Sequence, residues 1–197
     1  MDDRKNRRPG KRDFRPRQEE ERQLAEDLIE GRNAVTEALK SGRTIDKVFL
    51  ASGDTDQALA RLAAQAKEAG AVVVNTDRRK LDQMSPTGAH QGIMAQVAAH
   101  DYATLEEILQ RAQERGEAPL LVLCDELSDP HNLGAILRTA ECAGAHGVVI
   151  PKRRSVGLTA VVSKTSAGAV EYMPVARVSN MAAAIRDLKK LGVWVYG

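Results

Sequence analysis

Aromatic side chains are almost missing from this chain: one Trp, three Tyr and two Phe make up 3% of 197 residues. That scarcity argues against a nucleic-acid binder that works by stacking bases on exposed rings. Cysteine is equally scarce. Cys124 and Cys142 are the only two, and neither their number nor their spacing suits a disulfide framework or a thiolate metal site. They read as small buried hydrophobes in a reducing cytoplasm. His90, His131 and His146 lie far apart without metal-ligand spacing, so no metal is expected, and no Ser-His-Asp arrangement finds support. No apolar run approaches the length that crosses a bilayer, and the N-terminus is too polar for a signal peptide. The expectation is a cytoplasmic protein with no membrane partner.

Charge of one sign is concentrated rather than abundant. The net charge is only +2, yet residues 1–17 carry eight Lys or Arg against three Asp, which leaves that stretch at +5. With Pro9, Gly10 and Pro16 and almost no apolar side chains, residues 1–27 read as a basic arm that cannot bury enough surface to fold alone. Such an arm contacts phosphates without sequence preference, or serves only solubility.

Beyond the arm the chain has room for two small cores. Residues 28–99 alternate strand and helix patterns. A helix capped by Asn33 runs to Leu39, a strand covers Ile45–Ala51 and a helix Gln57–Ala69. A strand at Ala71–Asn75, a short helix at Arg78–Met84 and a strand at Gly92–Val97 follow. Residues 100–118 read as a linker holding a polar helix near Leu105–Arg115 without a strong apolar face. From 119 to 197 the alternation resumes, with strands at 120–124, 147–150, 172–175 and 193–196. Helices fall at 132–143, 158–165 and 181–191 between them. Such alternation predicts a parallel sheet in an α/β fold.

Residues 125–151 carry the densest chemistry. They follow the apolar strand 120–124, and Asp129-Pro130 predicts a turn. Asn132 is placed as N-cap of a helix whose Leu133, Ile136, Leu137 and Ala140 recur at helical spacing. The polar residues thus gather at the carboxyl end of a strand, where open α/β sheets bind ligands. Arg138 falls off the apolar stripe. Helix geometry leaves open whether it is a solvated partner of Glu141 or a cation of a site shared with Asn132 and the free amides of the helix start. Lys152-Arg153-Arg154 directly follows the next strand and would sit on the same rim.

The string Asp129-Pro130-His131-Asn132-Leu133-Gly134-Ala135-Ile136-Leu137-Arg138-Thr139-Ala140 resembles the first signature motif of the SpoU (TrmH-type) RNA ribose 2′-O-methyltransferases. The stretches Ile29–Val35, His90–Ile93 and Ser166–Glu171 are similar to the RlmB type, which modifies large-subunit ribosomal RNA. The resemblance covers residues 28–197. It implies a small N-terminal α/β domain that binds RNA, followed by a parallel-sheet methyltransferase domain of the SPOUT type, knotted when complete. It implies S-adenosylmethionine as methyl donor, no metal, ribosomal RNA as partner and a homodimer. Arg138 and Asn132 are then the catalytic residues. Gly134, Arg153, Arg154, Arg32 and His90 are carried over as RNA-binding residues.

Two further family motifs, which bind the cofactor, are not found before Gly197. The resemblance therefore implies a cofactor site beyond Gly197 and none in this chain, and a truncated sequence. An RNA-binding protein without catalysis, or an inactive fragment that retains the substrate domain, is the alternative reading.

Overall fold

The computed structural model describes residues 27–53 and 56–197. Residues 1–26, nearly the whole of the expected basic arm, lie outside them.

Two sheets organise the chain. The first is built from β1 (Leu28–Glu30), β2 (Ile45–Ala51), β3 (Val72–Thr76) and β4 (Ile93–Val97), in the order β1-β4-β2-β3. Helices α1 (Arg32–Lys40), α2 (Gln57–Glu68) and α3 (Arg78–Met84) connect these strands. β2 and β3 are parallel, whereas β4 runs antiparallel to both β1 and β2. Val35 and Ala38 of α1 meet Leu59, Leu62 and Ala66 of α2 over Val48, Ile93 and Ala95 of the sheet, all buried.

The second sheet is wholly parallel: β5 (Leu121–Leu123), β6 (Gly147–Pro151) and β7 (Val175–Val178), in that order. Between them lie α5 (Pro130–Cys142) and α6 (Ala160–Thr165), with a 3₁₀ turn at Ala169–Glu171. A parallel sheet needs cover on both faces, and β6 shows how the sequence supplies it. Val148 and Ile150 point to Leu133, Leu137 and Ala140 of α5 and to Val162 of α6. Val149 points the other way, to Ile108 of α4 (Leu105–Glu114) and Met181 of α7 (Met181–Lys190).

That second face draws on the helix within the expected linker. α4 was expected to lack an apolar face, yet Ile108 and Ala112 are fully buried, and Ile108 presses so closely on β6 that a Cβ at Gly147 would meet it at 2.5 Å. Two well-placed apolar residues on a short helix suffice, Ile108 alone contributing about 1.5–3 kcal/mol on full burial.

Other expected boundaries move for local reasons. α5 begins at Pro130, with Asp129 as its N-cap accepting from the His131 N–H, so Asn132 lies inside the first turn. Asp caps as well as Asn does, and proline is pre-organised for the first helical position. α1 likewise starts at Arg32, whose N–H donates 3.2 Å to Gln91 Oε1, and Asn33 is an exposed interior residue. The strand expected at 172–175 is β7, three residues later, because Ala169–Glu171 coils first. No strand forms at 193–196, where Trp194 and Tyr196 are more than four-fifths exposed.

A buried polar cluster joins the sheets. Asp46 of β2 pairs with Arg177 of β7 at 2.5 Å, with side chains 3% and 7% exposed. Tyr102 donates its hydroxyl to Asp46 at 3.0 Å, accepts from the Leu158 N–H at 2.8 Å and lies under the Arg177 guanidinium, 4.8 Å from ring centre. Gly157 makes room for this, since a Cβ there would sit 2.7 Å from the Tyr102 hydroxyl. Burial pushes the Asp46 carboxyl up, against the opposing pull of Arg177 and Tyr102.

Candidate active site

The residues singled out along α5 do not form one cluster. Asn132 is exposed in the first turn and Arg138 exposed farther on. Six helical residues place them about 9 Å apart along the axis and roughly 120° apart around it. Arg138 makes no hydrogen bond or ion pair among the described residues, so the Glu141 pairing left open by the sequence does not form. Its face of the helix is shared with His131, seven residues earlier.

Gly134 faces inward rather than toward a ligand. A Cβ there would lie 2.8 Å from Thr165 Cβ and 2.9 Å from the Ser166 nitrogen. The expectation of an RNA-contacting glycine is thereby corrected: this glycine lets α5 close onto the end of α6. His90 is corrected too. Its ring is 2% exposed, its Nδ1 accepts from the Gly92 N–H at 3.0 Å, and its Nε2 then donates to Asp82 at 2.8 Å. Both nitrogens are consumed in holding the loop before β4, so the side chain has nothing left to offer RNA.

Arg32 pairs with Asp56 at 2.6 Å, which ties the start of α1 to the N-cap of α2. Lys152-Arg153-Arg154 does not act as one rim. Arg154, in the left-handed region at φ 56°, turns toward the start of α5 and pairs with Glu126 at 3.3 Å. Lys152 and Arg153 turn the other way, to a separate hollow beside Lys67 of α2.

What the fold does assemble is a cleft of about 500 Å³ at the seam between the sheets. Lys47 and Gln96 come from the first sheet, and Asp129, His131, Arg154 and Thr159 from the second. Lys47 was missed by sequence reasoning. Burial draws its ammonium below the ordinary lysine value, Asp46 opposes this, and Arg177 adds to it. The available signal was the pair Asp46-Lys47 inside an otherwise apolar strand. The cleft thus presents Lys47, Arg154 and the first turn of α5, beside the Asp129 carboxylate, to whatever enters between the two sheets.

Comparison with known proteins decides the family. Residues 28–103 match a family model described as RNA 2′-O ribose methyltransferase substrate binding, and residues 119–197 match the SpoU rRNA methylase family. A Bacillus subtilis (strain 168) protein named as a TrmH family tRNA/rRNA methyltransferase, YacO, is 48% identical over 171 residues, spanning 87% of this chain and 68% of that protein. The chain belongs to the SpoU family of RNA methyltransferases. An uncharacterized tRNA/rRNA methyltransferase of Synechocystis, slr0955, is 43% identical over 183 residues, which are 92% of this chain and 48% of that protein. Among solved structures, an rRNA methyltransferase from Sinorhizobium meliloti aligns with a TM-score of 0.40 at 23% identity, over 89% of this chain and 66% of that one.

One groove of the SpoU chain has the size to take S-adenosylmethionine. Beside the open edge of β5 runs a groove of about 770 Å³, lined by Leu121, Leu123, Met181, Ile185 and Trp194, with Asp125 as its one charged side chain. A ligand carrying a sulfonium, an amino-acid carboxylate and a purine needs several converging polar groups. The described residues of this groove do not supply them, and they do not fit the whole cofactor.

Proposed function

We propose that this SpoU protein methylates the 2′-hydroxyl of a ribose, that of a guanosine in large-subunit ribosomal RNA, as its RlmB-like stretches suggest. In this reading it acts as a cytoplasmic homodimer with S-adenosylmethionine as methyl donor. The division into a basic arm at 1–27, an RNA-binding domain at 28–99, a linker at 100–118 and a methyltransferase domain from 119 is part of the same reading.

The observation that carries it is Arg138, an exposed and unpartnered guanidinium within the family motif. A ribose hydroxyl is a poor nucleophile, and a nearby fixed cation favours the alkoxide. The guanidinium stays charged at any working pH, so Arg138 acts by holding the adjoining phosphate or the developing oxyanion rather than by accepting the proton. Asn132, about 9 Å away and on another face of the helix, keeps its catalytic assignment from the family motif and not from proximity to Arg138. No step is assigned to the donor, whose site these residues do not complete. The second reading is RNA binding without catalysis.

Disrupting the gene in its host separates the readings. Alkali-resistant dinucleotides report ribose methylation, because a methylated 2′-oxygen cannot attack its phosphate. The expected result is loss of one such dinucleotide from large-subunit RNA with transfer RNA unchanged. An unchanged set in both RNAs would contradict the enzymatic reading, and a loss confined to transfer RNA would contradict the ribosomal one.

A further inference from the structure

Opposite the α5 side of the seam lies a second, smaller hollow of about 270 Å³. Lys67, at the last turn of α2, and Gly70 enter it from the first sheet's side. Lys152, Arg153 and Ser179 enter from the ends of β6 and β7. The Lys152 ammonium reaches across to within 3.6 Å of where a Gly70 Cβ would stand. Three cations therefore ring one small concavity, and no carboxylate lines it. None of the three makes an ion pair among the described residues.

Like charges gathered in a concave, partly walled space add their potentials rather than dissipating them. Arg177 reinforces the geometry from behind. Its guanidinium donates to the Lys152 carbonyl at 3.4 Å while pairing with Asp46. The backbone that presents Lys152 and Arg153 is thus pinned to the buried cluster that joins the sheets.

We propose that Lys67, Lys152 and Arg153, with the Ser179 hydroxyl, form a phosphate-binding site for the backbone of the substrate RNA, completed only where the two sheets meet. This rests on the reading of the protein as an RNA methyltransferase. The ammonium groups supply point charges, Arg153 a planar fork and Ser179 a neutral donor, a set suited to one phosphodiester. Because one wall comes from each sheet, a phosphate held here reports the relative placement of the RNA-binding and methylating halves.

The test is fluorescence anisotropy of the full chain with a labelled 20-nucleotide RNA hairpin across a series of KCl concentrations. Lys67→Gln/Lys152→Gln is compared with Arg186→Gln/Lys189→Gln on α7, which removes the same charge elsewhere. Each phosphate contact contributes roughly 0.7–0.9 to the slope of log K on log salt. The first double variant should flatten the slope by about one unit and weaken binding about tenfold or more at 0.1 M salt. The α7 variant should leave both unchanged, and Lys67→Arg/Lys152→Arg should keep the wild-type slope. Thermal unfolding is expected to match wild type in all three. A second arm titrates inorganic phosphate: competition at millimolar concentration that is lost in the first variant supports a single-phosphate site. Wild-type binding with equal slope losses in both Gln variants, or with none in either, would overturn the site while leaving RNA binding in place. Failure of the wild-type chain to bind the hairpin would overturn the site and the RNA reading together.

Discussion

Arg177 donates to Asp46 across the junction of the two sheets at 2.5 Å, 131 residues apart in the chain and almost fully buried. The pair fixes how the first sheet faces the second, and with that the shape of both seam hollows. Removing one partner strands a buried charge, which costs about 3–5 kcal/mol. Asp46→Ala should therefore unfold at a markedly lower temperature in a calorimetric scan. The double variant Asp46→Leu/Arg177→Met, which buries no charge, should recover most of that loss. Equal destabilisation of the single and double variants would show that packing, not charge, governs the junction.

Gly134→Ala should be destabilising although alanine is the better helix former. The added methyl overlaps Thr165 and the Ser166 backbone nitrogen, and overpacking of this kind costs about 1–3 kcal/mol. Adding Thr165→Ala should return only part of it, because the contact with the Ser166 backbone remains. Urea unfolding of the single and double variants measures both.

Acid should loosen the loop before β4 through Glu30. Partial burial raises its carboxyl, but hydrogen bonds from the Ser85 and Thr87 hydroxyls and the Thr87 N–H outweigh that and hold it below the ordinary value of 4.5. A carboxyl depressed in the folded state contributes stability that is fully present above the unfolded value. That contribution is lost as pH falls through the folded one. Unfolding free energy measured between pH 6 and 3 should therefore decline in wild type below about pH 4.5. The decline should be shallower in Glu30→Gln; identical pH profiles would remove Glu30 from the account.

The arm is tested by deletion of residues 1–17. Losing a net +5 should flatten the salt dependence of RNA binding by several units at most. An unchanged slope would exclude the arm as a phosphate contact.

Local features were legible in the sequence, and contacts across the chain were not. Arg78–Met84 and the strands β2, β3 and β4 stand where propensity and periodicity put them. Asn132 and Asn33 were misplaced because each competed with a neighbour, Asp129 or Gly31, for the cap. The strand expected at 193–196 has apolar alternation but no paired neighbour, and pairing is what makes a strand. Arg138 and Asn132 were assigned through a motif. Lys47 and Lys67 were not, because each acquires its setting only when the two sheets meet, and Lys152 was placed on the wrong rim for the same reason. Arg177, a single charge inside an apolar strand, and Asp46, beside Lys47 in another, carried a readable sign, though neither identifies its partner.

Arg138 tests the central claim most directly. Its side chain is exposed and touches nothing polar, so Arg138→Ala should change stability by no more than about 0.5 kcal/mol. The gene-disrupted host, complemented with wild type, Arg138→Ala or Arg138→Lys at matched protein levels, is read by the abundance of the alkali-resistant dinucleotide. Wild type should restore it; Arg138→Ala should lower the rate of methylation by about a hundredfold or more, and Arg138→Lys should recover little of it. Near-normal methylation by a stable Arg138→Ala protein would contradict the account.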